Sequence, residues 1–253
     1  MKIKAIKTEK IRAREHEIFF ILDKYVRRMP EDSVLAVTSK IISLCEGMVV
    51  KIGEVDKDEL IKSEAEFFLP RKFSRYKIIF AIKNGILAPS AGIDESNADG
   101  YYVLWPRDPQ KTANEIRKYL KKKFRLKKVG VIITDSKTTP LRWGTSGVAI
   151  AHSGFEALHD YIGTRDVFGR KLKMTKANIM DALAASAVLV MGEGSEQTPL
   201  VIMEDMPFVK FQKRDPSASE IRELRISIND DLYAPMLKAV KWRKGLRPVG
   251  RAK

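Results

Sequence analysis

Three times along this chain an apolar stretch runs into glycines, small polar residues and a carboxylate. The segments are Ile86 to Gly100 (ILAPSAGIDESNADG), Val131 to Gly144 (VIITDSKTTPLRWG) and Val188 to Pro199 (VLVMGEGSEQTP). A carboxylate just past an apolar segment stands at the edge of a core, where a hard cation can reach it. One such segment means little. Three in one domain-sized chain point to a shared site built from Asp94 (or Glu95), Asp135 and Glu193.

The 253 residues suffice for one large or two small domains with a proper core. We expect one catalytic unit over residues 1–215, with residues 216–253 adding C-terminal helices and a basic tail packed on the same unit. No apolar run approaches the roughly 20 residues that span a bilayer. The N-terminal MKIKAIKTEKIRAREHE has lysines but no apolar core, so it does not read as a secretory signal. A single cysteine, Cys45, excludes an internal disulfide framework and a multi-cysteine zinc site. The expectation is a cytoplasmic protein with no membrane partner.

Two segments, Arg117 to Lys128 and Lys238 to Lys253, contain no acid and together account for the whole net charge of +15. Such segments attract polyanions, or are a solvated helix face and a loose tail. Aromatic residues are not interleaved with them, so stacking on single-stranded nucleic acid has no support.

Periodicity predicts helices over 15–28, 39–46, 57–67, 109–124, 176–191 (capped by Thr175), 217–224 and 231–242. Strands are expected over 33–38, 77–83, 101–105, 129–134, 148–151 and 200–203. The two kinds mix without a strict βαβ rhythm, which argues for an α+β fold with mixed, irregular sheets.

Familiar signatures are absent. No Walker A loop is present, no Gly-x-Gly-x-x-Gly follows a strand, and no Gly-x-Ser-x-Gly elbow occurs. His16, His152 and His159 share no ligand spacing. Carboxylates set among Ser, Thr and Asn instead make an oxygen-donor site suited to magnesium or manganese. On this reading Asp94, Asp135 and Glu193 ligate metal and Ser136 adds a hydroxyl. Asn97, one helical turn from Asp94, bonds a nucleotide or sugar oxygen. The run Met191, Gly192, Gly194, Ser195, Glu196, Gln197 and Thr198 wraps a nucleotide. Lys40, Arg142, Arg165 and Arg170 pair with phosphates or substrate carboxylates. Each acid also has an ordinary reading: a turn cap at Asp135, a helix C-cap at Glu193, a solvated turn over Asp94 to Asn97.

LAPSAGIDESNADG, the Thr134-Asp135-Ser136 that ends a buried strand, DVFGRKL (Asp166 to Leu172) and VMGEGSEQTP, taken in order, resemble the coenzyme F420-0:L-glutamate ligase (gamma-glutamyl ligase) family. Ser39-Lys40 in VTSKIISLCEG is similar to its N-terminal nucleotide segment. The resemblance runs from about Val34 to Val209. It implies an unusual α+β fold that forms a homodimer, and an enzyme that joins L-glutamate to an acceptor carboxylate through an acyl phosphate. It implies GTP or ATP as co-substrate, Mg²⁺ or Mn²⁺, and often K⁺. It implies Asp94, Asp135, Ser136 and Glu193 as metal ligands. Ser39, Lys40, Asn97 and Met191 to Thr198 would be nucleotide contacts; apart from the resemblance, Arg142, Arg165 and Arg170 are candidates on charge for the carboxylates of the incoming glutamate.

Two departures stand out. Leu44 occupies a position where the family pattern has lysine. SKTTPLRWGTSG replaces the Gly-Arg-Pro that follows the Asp-Ser/Thr pair, and resembles a bacterial branch associated with folate. The anionic acceptor is therefore the deazaflavin coenzyme F420-0 or a folate. The rival readings are a basic nucleic-acid-binding module, disfavoured by the absent aromatics, and a relative that binds nucleotide without turnover.

Overall fold

The computed structural model describes residues 1–246; the end of the basic tail, 247–253, lies outside the described residues. The chain opens with β1 (Lys2–Ile6), α1 (Ile18–Tyr25), β2 (Ser33–Thr38), α2 (Ser39–Glu46), β3 (Val49–Lys51), α3 (Lys57–Glu64) and β4 (Phe67–Leu69). A hairpin of β5 (Phe80–Lys83) and β6 (Ile86–Pro89) turns at Asn84-Gly85 and leads to β7 (Tyr101–Val103) and the long α4 (Pro109–Phe124). A longer hairpin, β8 (Val129–Thr138) and β9 (Thr145–Ser153), precedes short strands β10 (Leu158–Asp160) and β11 (Lys176–Asn178). Then come α5 (Ile179–Met191), β12 (Leu200–Glu204), α6 (Ala218–Glu223), α7 (Ala234–Lys238) and β13 (Arg243–Lys244). Helices packed on several separate sheets make this an α+β fold, as the sequence predicts.

The main sheet has the order β1-β12-β2-β8-β9, and only its β2–β8 pair is parallel. Side chains alternate along a strand, so neighbours serve opposite faces. Leu35, Val37, Val131 and Ile133 pack under α1, α2 and α4 with Ile21, Ile41, Ile116 and Leu120. Val34, Ala36, Ile132 and Val201 pack under α5 with Leu183, Ala187 and Met191. Burial on both faces is why β2 and the first half of β8 read as unbroken apolar runs. A second sheet, β13-β4-β5-β6, carries its own core of Ile61, Phe68, Ile79 and Ala81.

Several boundaries differ from expectation, for local reasons. The first helix keeps only Ile18–Tyr25 of the predicted 15–28, and the third stops at Glu64 because Phe67–Leu69 pairs with β5. Thr175 does not cap the fifth helix. Lys176–Asn178 is drawn into a ladder with β10, and the Asn178 side chain accepts from the Asp181 N–H instead. The last helix shrinks from 231–242 to Ala234–Lys238. Strands β1, β3, β4, β6, β10, β11 and β13 were not expected; most are three-residue ladders that carry too few alternations to read.

The basic segment at 117–128 is not one solvated face. Arg117 is 3% exposed and bonds Asp215 at 2.7 Å and the Ser153 hydroxyl at 3.0 Å. Lys118 also pairs with Asp215, and Lys123 binds the carbonyls that end α1. Residues 216–246 touch the rest through β13 on β4 and through the Gly245 and Leu246 N–H groups on the carbonyls of Glu66 and Lys62. Among the described residues no helix is long and apolar enough to cross a membrane.

Gly147 on β9 faces the backbone of α5 so closely that an added Cβ would lie 2.3 Å from the Ala184 carbonyl oxygen. Since backbone cannot swing aside, Gly147→Ala should cost about 1–3 kcal/mol and lower the thermal midpoint by several degrees. An unchanged midpoint in calorimetry would contradict this packing.

Candidate active site

Four elements end at one cleft of about 460 Å³. The turn from β2 into α2 delivers Ser39 and Lys40, and the 90–99 turn brings Asp94, Ser96 and Asn97. β8 contributes Asp135 and Ser136, and the loop after α5 supplies Gly192 to Pro199. The parallel β2–β8 pair explains the first and third: Thr38 lies opposite Thr134, so the residues that follow each emerge side by side. A bulge between Ile133 and Thr134 sets Ile150 out of register next to the point where β8 turns from apolar to acidic. Bulges re-aim the side chains that follow them.

Asp94, Asp135, Ser136, Glu193, Ser39, Lys40, Asn97, Met191, Gly192, Gly194, Ser195, Glu196, Gln197 and Thr198 all line this cleft; Glu95, the alternative to Asp94, does not, and pairs with Lys57 instead. Asp135 lies within β8 rather than past its end, since the strand runs on to Thr138. Asn97 is not on a helix; its φ is +50° and its amide donates to the Gly194 carbonyl at 2.8 Å, joining two walls. Arg142, Arg165 and Arg170 do not line the cleft. Arg142 sits on the exposed tip of the β8–β9 hairpin, and Arg165 donates to the Gly169 carbonyl in a separate excursion.

The polar contacts are tightly ordered. The Lys40 ammonium lies 2.6 Å from Asp94 and donates to the Ser96 carbonyl at 2.9 Å. Asp94 also accepts from the Ser96 N–H and hydroxyl. The Ser136 hydroxyl donates to Glu193 at 3.1 Å, and the Asp135 carboxylate accepts from the Ser136 N–H and the Trp105 indole. The loop is tied down by the Thr198 hydroxyl on the Met191 carbonyl, 2.6 Å, and by Glu196, which accepts the Gly194 N–H and covers Gly192. No side chain caps α2, so its first-turn N–H groups are left for a ligand.

Burial pushes the Asp135 carboxyl up to about 6; the charge of Asp94 adds to this, and the Trp105 and Ser136 N–H groups oppose it. Asp94 goes the other way. Burial raises its carboxyl, but the Lys40 ammonium and the Ser96 donors outweigh it and hold the acid ionised. Two carboxylates close enough to feel each other, one paired to a lysine and one penalised, would both gain from a cation placed between them.

Asp94, Asp135, Glu193 and Ser136 present only oxygen, as magnesium or manganese requires. Among the described residues no three acids, histidines or cysteines gather tightly enough to enclose an ion alone. Mg²⁺ commonly works through one or two carboxylates completed by phosphate oxygens, so the donor set fits a cation carried in with a phosphorylated ligand.

Sequence reasoning missed Trp105, whose indole holds Asp135, and the N-terminal run Thr8 to Arg12, which forms one wall. The lysine and arginine of that run were visible only as charge. Leu44 also lines the cleft but is 4% exposed, packed on Ala98 and Val103. His152 is buried, and His159 stacks on Tyr161.

Residues 5–205 match the family described as F420-0:Gamma-glutamyl ligase. A coenzyme F420:L-glutamate ligase of Methanopyrus kandleri is 37% identical over 196 residues, 70% of this chain and 77% of that protein. The ligase of the same name from Methanococcus maripaludis strain C6 is 38% identical over 196 residues, covering 76% and 77%. That of Methanocaldococcus jannaschii is 34% identical over 207 residues, covering 73% and 81%.

An acid that titrates higher in the fold than in the open chain, whose ordinary value is about 4, binds its proton better when folded. Folding therefore loses stability as pH rises between the two values. Asp135→Asn removes that penalty. In metal-free buffer the variant should gain little at pH 4 and up to about 3 kcal/mol by pH 7, at about 1.4 kcal/mol per unit. Denaturant titrations at both pH values check this, and a gain that does not vary with pH counts against it.

Proposed function

The chain belongs to the F420-0:gamma-glutamyl ligase family, and on that premise we propose that it joins L-glutamate to an acceptor carboxylate at the expense of a nucleoside triphosphate. The observation that carries this is the convergence of Lys40, Asp94, Asp135, Ser136, Glu193 and the 191–199 loop on one cleft. A carboxylate is a poor electrophile with a poor leaving group. One acceptor oxygen attacks the γ-phosphorus and the nucleoside diphosphate leaves with the electron pair, giving an acyl phosphate. The glutamate amine attacks the acyl carbon, phosphate departs, and the nitrogen releases its proton to water.

The chain's own part is positioning and charge. Lys40 and the uncapped start of α2 meet phosphate oxygens, and the loop tied by Thr198 and Glu196 cradles the nucleoside, GTP or ATP. Asp94, Asp135, Ser136 and Glu193 would hold Mg²⁺ or Mn²⁺, which supplies neutralisation of the phosphoryl charge. The acceptor is coenzyme F420-0, in line with the names of the relatives. A folate is the second reading, favoured by the SKTTPLRWG departure. We place the protein in the cytoplasm, as the sequence suggests, and read it as a homodimer: Leu141, Trp143, Val167 and Phe168 stand more than nine-tenths exposed on two excursions, the kind of apolar surface that a second copy covers.

Phosphate release should require glutamate, an acceptor and Mg²⁺ or Mn²⁺ together, and chelation should stop it. Mass spectrometry should find one acceptor, F420-0 or folate, heavier by one glutamyl unit. Asp135→Asn should cut kcat at least 100-fold; full turnover in that variant would refute the assignment of the site. For assembly, Trp143→Glu should halve the mass seen in sedimentation, whereas a wild-type monomer would dismiss the dimer.

A further inference from the structure

A second cavity, of about 370 Å³, adjoins the free edge of β9. The starts of α4 and α5, the Asn84-Gly85 turn and α6 close around it. It contains Arg107, Lys137 and Arg225, none of which forms an ion pair among the described residues. Its two acids are already engaged. Asp108 caps α4 by accepting the Lys111 N–H at 3.0 Å, and Asp181 accepts the Ala149 N–H at 3.0 Å and the Asn178 amide at 2.8 Å. Both helices also turn their positive ends toward it. His152, 1% exposed, lies in its wall with Nδ1 lacking any hydrogen-bond partner among the described residues. The cavity is thus built with cationic charge left over.

Its placement ties it to the cleft. Trp105 bonds Asp135, and Arg107, two residues on, lines the second cavity. Asp135 lines the cleft, and Lys137, two residues on along β8, lines the second cavity. Along β8 two residues span about 7 Å and return to the same face, while Trp105–Arg107 crosses in the irregular segment between β7 and α4. Two separate segments therefore lead from the charged centre of the cleft into this cavity, a short step for a second substrate.

We propose that this cavity receives the carboxylates of the incoming L-glutamate, a reading that rests on the ligase function above. Glutamate brings two carboxylates, and the excess cations here need anionic partners. Held by Lys137 and the two arginines, it would present its amine toward the Asp135 end of the cleft, where the acyl carbon forms.

The test uses Lys137→Met and Arg225→Gln in the full chain, each checked for an unchanged melting profile. With nucleotide and acceptor saturating, the KM for glutamate should rise at least tenfold in both, while KM for nucleotide and for acceptor stay within twofold. A rise confined to the acceptor's KM, or no rise at all, overturns the proposal. Saturation-transfer NMR of L-glutamate on the wild-type protein and on Lys137→Met reads the site without turnover. A signal present in the first and lost in the second supports the site even if no acceptor is ever ligated, which separates its fate from that of the ligase reading. A wild-type protein that shows no bound glutamate, or a variant that keeps the full signal, overturns it.

Discussion

The parallel pairing of β2 with β8 is the constraint on which the rest depends. Parallel neighbours end at the same edge of a sheet, so whatever follows each strand is delivered to one place. Here Ser39-Lys40 follows β2, while Asp135-Ser136 continues β8 past Thr134, with Thr38 and Thr134 opposite one another. Some 95 residues of chain separate Lys40 from Asp135, yet the ladder leaves their relative position almost no freedom. Both strands are sealed on two faces by apolar packing, so the charged edge is held by the core itself rather than by surface contacts that salt would loosen.

On this rigid edge the electrostatics are deliberately unbalanced. One lysine serves the Asp94 side, while among the described residues Asp135 has N–H donors and no ion-pair partner of its own. A buried carboxylate in that state costs stability, and folding tolerates the cost because a packed sheet surrounds it. A cation placed beside that carboxylate would relieve the penalty.

Much of this was legible in the sequence, and the reasons are specific. The apolar runs before Asp94, Asp135 and Glu193 marked core edges, and core edges in one small protein have few places to go. The α+β class followed from the irregular mix of periods. What escaped notice depended on distance across the chain. Trp105 reads as an ordinary strand residue until the segment after β7 brings its indole onto Asp135 of β8. The Thr8 to Arg12 run has no period at all and is placed by long-range contacts such as the Thr8 N–H on the Gln197 carbonyl and the Arg12–Asp99 ion pair. Three-residue strands such as β10 and β11 exist because a partner is present, which is why Lys176–Asn178 was misread as helix. Arg142 looked suitable by charge, but its hairpin carries it away from the cleft.

Gly92 and Trp105 carry a consequence for how this protein can change over generations. The indole that steadies Asp135 packs against Gly92, whose added Cβ would fall 2.2 Å from the indole nitrogen. Neither position can drift alone: a side chain at 92 evicts the indole, and a smaller residue at 105 leaves a hole beside a buried acid. A change at one position therefore calls for a matching change at the other.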